Sequence, residues 1–403
     1  MAALGGGALN ATPTPAAPGH EARRWIQRLA ESGLRGRGGG WYSAGRKWQA
    51  VHVEGGTPVV VANGAEGEPG SVKDRWLLIH RPDAVLEGLQ LAARVLGAGE
   101  AYIYLKGSFA RPAAALAAAL RERHGGAAVE VVRGEDTYIA GEETALLESL
   151  EGRRAWPRPK PPWPAAVGLR GRPTLVQNVE TLARVPAAVA DPEAFRAAET
   201  TLVSLWGDVR RPGVYEVRLG TPLRRIVEEH GGGPTDGIGM IFPAGPSAPP
   251  LAEEQADAPL DPEALRALGS GLGTAALLVI GRATCPVAMA ASLAAFFERE
   301  ACGQCPPCVL GTANVARLVR PLEAGGARPG DLARIGEIAG FMSGHGHCAH
   351  SRTAAAAVLG VLRRFAPAVQ EHLSAGGCPR PGHGRDPFGP GSPERAAIES
   401  GVA

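Results

Sequence analysis

Cys302, Cys305 and Cys308 fall in the string CGQCPPC, and a fourth cysteine, Cys348, follows after 39 intervening residues. Three thiols spaced in this way can wrap one face of an inorganic cube, and a fourth from a distant loop can close the coordination, as in [4Fe–4S] ligation. The chain between them must leave the first loop and return to it. A tetrahedral zinc ion more often takes separated CxxC pairs, and here it would need His345, His347 or His350. Cys285 and Cys378 stand apart and read as small buried or exposed thiols. Six cysteines in 403 residues do not make a disulfide framework, and the clustering of four points to a metal site in a reducing compartment.

The segments flanking these cysteines, VAMAASLAAFFERE, ANVARLVRPLEAG, DLARIGEIAGFMSG and TAAAAVLGVLRRF, carry helical periodicity, the last with a kink expected at Pro367. They predict a small helical bundle over 286–375. The N-terminal part is different. Residues 20–33 predict a helix ending at Gly33, and an Arg/Gly-rich loop, Leu34 to Gly45, follows. PVVVAN, AYIYLKG and AVEVV read as strands, alternating with helices in DAVLEGLQLAARVLGAG and RPAAALAAALRERHGG. That alternation predicts an α/β domain over 20–195, a mostly parallel sheet with helices on both faces. From Thr200, short strands and a helix N-capped by Thr221 predict a small α+β module over 198–281. Residues 1–19 and 376–403 are expected to be disordered tails.

A net charge of +2 with no concentrated basic face excludes nucleic acid as the main partner. The most apolar stretch, Leu277 to Phe297, is interrupted by Arg282 and reads as a strand followed by a helix, so no membrane insertion is expected. The first residues lack a basic, then apolar, signal pattern. A cytoplasmic location is the default.

Within the first domain, Gly36, Arg37, Gly38, Gly39 and Gly40, with Lys47 close behind, form a run whose backbone amides can approach a phosphate. Alone, such a run is no more than a flexible loop in a chain with 56 glycines. Two acidic pairs, Glu66 with Glu68 and Glu142 with Glu143, lie in Gly-flanked turns where carboxylates are ordinarily solvated. Composition adds weight here. Arginine outnumbers lysine 38 to 4, and there are only four asparagines. Yet Lys47, Asn63, Lys73, Lys160 and Asn178 gather in three short segments around these motifs. Lysine supplies a compact charge and asparagine a paired donor and acceptor, and arginine replaces neither.

The strings LRGRGGGWYSAGRKW, NGAEGEPGSVKDR, YIAGEETALLESLEGRRAWPRPKPPWP, RPTLVQNVETL and CGQCPPC, in that order, resemble the 51-kDa (F-type) flavoprotein subunit of respiratory complex I and its relatives in NAD-linked hydrogenases and formate dehydrogenases. The resemblance spans about residues 20 to 375. It implies a Rossmann-like FMN domain, a β-grasp (SLBB) domain and a helical [4Fe–4S] domain. By position, it assigns the FMN phosphate and ribityl to Gly36, Arg37, Gly38, Gly39 and Lys47. Asn63, Glu66, Tyr138, Gly141, Glu142, Glu143, Val176, Asn178 and Thr181 would line the rest of the flavin site. Glu68, Lys160 and Trp163 would face NADH, with Glu143 between the two ligands, and Cys302, Cys305, Cys308 and Cys348 would bind the cluster.

Against the family pattern, Trp41 replaces Gly, Tyr42 replaces Phe, Ala50 replaces an adenine-stacking Phe, Ala65 replaces Asp, Gly67 replaces Ser and Gln177 replaces Asn. These departures favour a stand-alone paralogue. The implied activity is NADH dehydrogenation: hydride to FMN, then single electrons to the cluster and onward to an iron–sulfur partner, a thioredoxin-like [2Fe–2S] subunit or a ferredoxin. No side chain is assigned a catalytic proton transfer. The alternative is a relay paralogue that keeps FMN and cluster but no longer oxidises NADH.

Overall fold

The computed structural model describes residues 19–123, 127–379 and 384–400. Most of the expected N-terminal tail lies outside these residues. The chain forms two compact units: the first comprises the described residues up to Gly67 and Lys73–Thr201, and the second comprises Glu68–Val72 and the described residues from Leu202 onward.

The first unit opens with helices α1 (His20–Glu31) and α2 (Ala44–Glu54) and strand β1 (Val59–Asn63). It continues through α3 (Lys73–His80), α4 (Pro82–Leu96), β2 (Glu100–Lys106), α5 (Ala110–Arg121) and β3 (Ala128–Gly134). After a 3-10 turn at Tyr138–Gly141 come α6 (Glu143–Leu150), β4 (Thr174–Asn178), α7 (Val179–Ala190) and α8 (Pro192–Ala197). The four strands pair in the order β3-β2-β1-β4, and all are parallel.

β1 is a run of apolar residues because both its faces are covered. Val59, Val61, Tyr102, Tyr104 and Val176 pack with Leu146 and Leu147 of α6 on one face. The alternate residues Val60, Ala62 and Ile103 are equally buried and point to the opposite face, and α4 and α7 contact β1. The expected α/β sandwich is therefore present. α2, α3 and β4, left unassigned by periodicity, belong to it.

In the second unit, β5 (Thr200–Gly207), β6 (Gly213–Arg218), β7 (Met240–Pro246), β8 (Leu251–Ala252) and β9 (Ala276–Ile280) form a mixed sheet in the order β6-β5-β9-β7-β8. A short helix α9 (Leu223–Arg225) runs into a π-helical turn, and α10 (Pro262–Ala267) precedes β9. The N-cap of α9 is Pro222, not Thr221, and no side chain caps it. Pro222, Leu223 and the π turn shift the helix start by one residue from the expected position.

The helical part is α11 (Pro286–Arg299), α12 (Pro306–Ala324), α13 (Asp331–Ser343), α14 (His350–Arg364) and α15 (Ala366–Ala375). Pro367 does not kink one helix. It sits in the first turn of α15, where its missing N–H costs nothing, so the helix starts afresh. The expected disordered tail from 376 is also corrected. Phe388 is fully buried beside Trp206, Phe242 and Phe296, Arg385 pairs with Asp208, and α16 (Pro393–Ser400) follows. Burying one phenylalanine contributes about 1.5–3 kcal/mol toward ordering this Gly/Pro-rich segment, beside the Arg385–Asp208 pair. No helix among the described residues is long and apolar enough to cross a membrane.

Candidate functional site

In the first unit the strand order reverses between β1 and β4, because β2 and β3 lie on one side of β1 and β4 on the other. In open parallel sheets a crevice for ligands forms at such a switch point, beyond the C-terminal strand ends. Asn63 ends β1, Asn178 ends β4, and the two are register partners. Asn63 donates from Nδ2 to the Gly141 carbonyl at 2.8 Å and accepts from the Ala65 N–H at 3.1 Å. Asn178 caps α7, accepting from Glu180 N, and donates to Asp74 Oδ2 at 2.7 Å.

The glycine loop is tied at its base by Gly36 N–H to the Tyr42 carbonyl, 2.8 Å, and Ala44 N–H to the Leu34 carbonyl, 2.9 Å. Thr181 Oγ1 accepts from the Arg37 N–H at 2.8 Å, which brings the loop to the start of α7. The Arg37 side chain turns away from solvent. Its guanidinium is buried, pairs with Glu199 at 2.5 Å, and lies 4.3 Å from the centre of the Trp41 ring. Burial, followed by the neighbouring Arg184, lowers its pKa from the ordinary arginine value. Both the guanidinium and the N–H of Arg37 are therefore engaged within the protein, which leaves neither as the donor expected for a phosphate. Trp41, with φ of 50°, occupies a left-handed conformation that suits the glycine of the family pattern, and its buried ring is taken up by Arg37 and Arg35.

Lys47 on α2 reaches Glu143 Oε2 at 2.8 Å, and Lys160 reaches Glu142 Oε1 at 2.6 Å and Glu143 Oε1 at 3.3 Å. Glu142 also caps α6 through Thr144 N and Ala145 N. Burial opposes ionisation of Glu143, but Lys47 and then Lys160 outweigh it and hold its carboxyl below the usual range. Lys160 Nζ lies 5.3 Å from the centre of the exposed Trp163 ring. Lys47, Lys160, Glu142, Glu143 and Trp163 are therefore linked as a polar group with an aromatic at its edge.

Glu66 does something the acidic-pair reading missed. Its carboxylate accepts from the Asp74 and Arg75 backbone N–H groups and from Arg75 Nε, holding the start of α3. Beside it, Lys73 bridges Asp74 at 2.6 Å and Glu180 at 2.9 Å, and Glu180 also pairs with Arg184. Burial pushes the Asp74 carboxyl up to about 7, against the pull of Lys73 and with help from Glu66. Asp74, Glu180, Arg184 and Glu199 were not singled out by motif. The one hint was Lys73, a rare lysine that proves wholly buried.

Of the other expected residues, Val176 lies in the sheet core, Tyr138 and Gly141 form the 3-10 turn after β3, and Glu68 belongs to the second unit, where the Ser247 hydroxyl donates to it at 2.6 Å. Gln177 accepts from Trp48 Nε1 at 2.9 Å.

In the second unit, Cys302 and Cys305 precede α12, Cys308 lies in its first turn, and Cys348 precedes α14. Cys305 is the N-cap residue of α12. His347 N–H donates to Cys305 Sγ at 3.4 Å. Burial, then Cys348, Cys302 and Cys305, push the Cys308 thiol up to about 12, the mark of four thiols facing one another. The zinc alternative fits poorly. His350 is buried, and its Nε2 bonds the Phe297 carbonyl at 2.9 Å. Three cysteines spaced two residues apart, with a fourth brought in ahead of α14, suit an iron–sulfur cluster.

Comparison with known proteins identifies the domains that carry these residues. Residues 29–187 match the Nuo51 FMN-binding domain, residues 202–239 an SLBB domain, and residues 288–372 the NADH-ubiquinone oxidoreductase-F iron–sulfur binding region. The second F-type subunit of NADH-quinone oxidoreductase in Rhizobium meliloti is 38% identical over 377 residues, covering 88% of this chain and 90% of the relative. The chain belongs to the family of NADH-quinone oxidoreductase F-type subunits. The F-type subunit of Streptomyces coelicolor is likewise 38% identical, over 88% of this chain and 84% of the relative. Among solved structures, an NAD+-reducing [NiFe]-hydrogenase in the H2-reduced state matches with TM-score 0.79 and 32% identity over 89% of this chain. This chain spans 63% of that one. The F-type architecture, with an FMN domain, an SLBB domain and a helical [4Fe–4S] region, is thus present in order.

Proposed function

We infer that this chain is the NADH-oxidising flavo-iron–sulfur subunit of an electron-transfer assembly, taking hydride from NADH and delivering single electrons to an iron–sulfur partner. The observation that carries this reading is the presence of two donor sets in one chain of this family: glycine-loop amides, lysines and asparagines at the β1/β4 switch point, and four facing thiols at the head of α12 and α14. FMN, when bound, supplies the exchange between a two-electron hydride donor and one-electron acceptors, and the [4Fe–4S] cluster supplies a one-electron relay.

The protein's own work is binding and electrostatics. Amides of Gly38 and Gly39 would hold the phosphate on a loop braced by the Gly36 and Arg37 N–H bonds, and Lys47 would neutralise it while keeping Glu143 ionised. Asn63 and Asn178 would hold the flavin edge, with Glu66, Tyr138, Gly141, Glu142, Val176 and Thr181 shaping the site. Lys160 and Trp163 would receive the dinucleotide as charge and stacking platform. Glu68 is given the same ligand by the family resemblance alone. No residue needs to act as general base, since hydride carries no proton to remove.

The partner is proposed to be a [2Fe–2S] protein or ferredoxin, and the location cytoplasmic, at the periphery of a membrane assembly. The relay alternative is not favoured. Trp41, which with Ala50 and Ala65 motivates it, packs under arginines. Steady-state reduction of ferricyanide by the purified, flavin-loaded protein tests the reading: turnover with NADH supports it, and turnover absent with NADH and NADPH alike removes it.

A further inference from the structure

Away from the four clustered cysteines, Cys285, His372 and Cys378 converge in the second unit, with Sγ, imidazole N and Sγ all within 4.8 Å of one another. Cys285 Sγ lies 3.2 Å from His372 Nε2. Cys285 and His372 are buried, and Cys378 is partly exposed. Nothing in the flavin or cluster chemistry uses them.

The trio is held by backbone. Cys285 is the N-cap of the 14-residue α11, and burial, with the neighbouring Cys378, pushes its thiol above the ordinary range. Cys378 N–H donates to the Glu323 carbonyl at 3.2 Å, and Gly377 N–H to the His372 carbonyl at 3.0 Å. Gly325 lies so close to the Gly376 carbonyl that a Cβ there would sit 1.9 Å from its oxygen, so the loop bearing Cys378 is pressed onto the end of α12. His372 Nδ1 bonds the Ala368 carbonyl at 2.7 Å. A carbonyl only accepts, so Nδ1 carries the proton and Nε2 presents its lone pair to the sulfurs, as the outer partner of a metal-bound histidine does.

We propose that Cys285, His372 and Cys378 form a second metal site, one that takes a single Zn2+ ion separately from the iron–sulfur cluster. Tetrahedral zinc with Zn–S of about 2.3 Å and Zn–N of about 2.0–2.1 Å places S and N roughly 3.5 Å apart and the two sulfurs roughly 3.8 Å apart. The observed spacing needs only small adjustment. Zinc displaces the two thiol protons to solvent, and water completes the fourth position from the side of Cys378. The site ties the start of α11 to the end of α15 and the segment that follows it.

The test is a titration of the holoprotein, flavin and cluster in place, with Zn2+ in competition with a chromophoric chelator. One equivalent per chain is expected, weakened at least about tenfold in His372→Ala and Cys378→Ser, with iron and flavin content unchanged. Zinc-edge X-ray absorption of the wild type, which requires no variant to fold, should give two sulfur neighbours and two nitrogen or oxygen neighbours, the imidazole and the water. Absence of a zinc equivalent, equal affinity in both variants, an all-sulfur zinc shell, or a Cys285–Cys378 disulfide in the isolated chain would each overturn the proposal.

Discussion

Asn63 and Asn178 are register partners at the C-terminal ends of adjacent parallel strands, at the point where the strand order reverses. Each satisfies the backbone with its side-chain oxygen and spends its amide N–H on a second element: Asn63 on the turn at Gly141, Asn178 on Asp74 of α3. Two of the chain's four asparagines thus fix the floor of the candidate flavin site.

Asn178→Ala removes the cap of α7 and one bond to a buried carboxylate. An uncapped helix costs about 1 kcal/mol and an unpartnered charged acceptor about 1–3 kcal/mol. Urea unfolding is expected to shift to lower midpoint by the equivalent of about 2–3 kcal/mol, with Asn178→Asp recovering the cap but not the bond to Asp74. An unchanged midpoint for the alanine variant would remove Asn178 from this structural role.

Lys47→Ala leaves Glu143 with Lys160 alone and withdraws the cation proposed for the phosphate. Flavin affinity, measured from the fluorescence of released FMN, is expected to fall about tenfold, which corresponds to about 1.4 kcal/mol. Lys47→Arg should recover only part of it, since a planar guanidinium does not reproduce a point charge at this site.

Asp74 gives a pH signature. Its carboxyl sits at about 7 in the folded chain against 3.8 for an ordinary aspartate, chiefly through burial. Between those values the native state holds a proton that the unfolded chain lacks, so this group's contribution to stability falls as pH rises across the window. Unfolding of wild type and Asp74→Asn at about pH 5 and about pH 8 should therefore show the wild type losing more stability on going to the higher pH. Parallel pH profiles would contradict the assignment.

Gly141 follows directly from packing. A Cβ there would lie 2.6 Å from the Ala65 carbonyl oxygen, and the Gly141 carbonyl accepts from Asn63. Gly141→Ala is expected to destabilise by about 1–3 kcal/mol and to lower flavin occupancy, because relief of the clash must move one of the two turns. Occupancy is read as the ratio of flavin to protein absorbance after gel filtration.

The sequence discloses the α/β layer, the helical bundle and the cysteine constellation because each has a local pattern: apolar runs in β1 and β2, 3.6-residue periodicity in α4 and α11, fixed spacing in CGQCPPC. What it hides is non-local. Arg37 reads as part of the phosphate loop and Lys73 as one of the gathered lysines, and Asp74, Glu180, Arg184 and Glu199 carry no local signal, yet together they close a buried ion network between segments more than a hundred residues apart. The Gly/Pro-rich tail conceals Phe388, whose aromatic partners come from β5, β7 and α11. α2 escaped because its residues follow directly on the glycine loop, although Ser43 caps it through the Arg46 N–H. The convergence of Cys285, His372 and Cys378 is likewise visible only once α11 and α15 are packed.

The central claim, that one chain takes hydride from NADH and holds both a flavin and a [4Fe–4S] cluster, is tested most directly by the anaerobic absorption spectrum of the purified protein before and after NADH. Flavin bands over a broad iron–sulfur shoulder, both bleached by NADH, are the expected result. Both chromophores present but unchanged by NADH would contradict it.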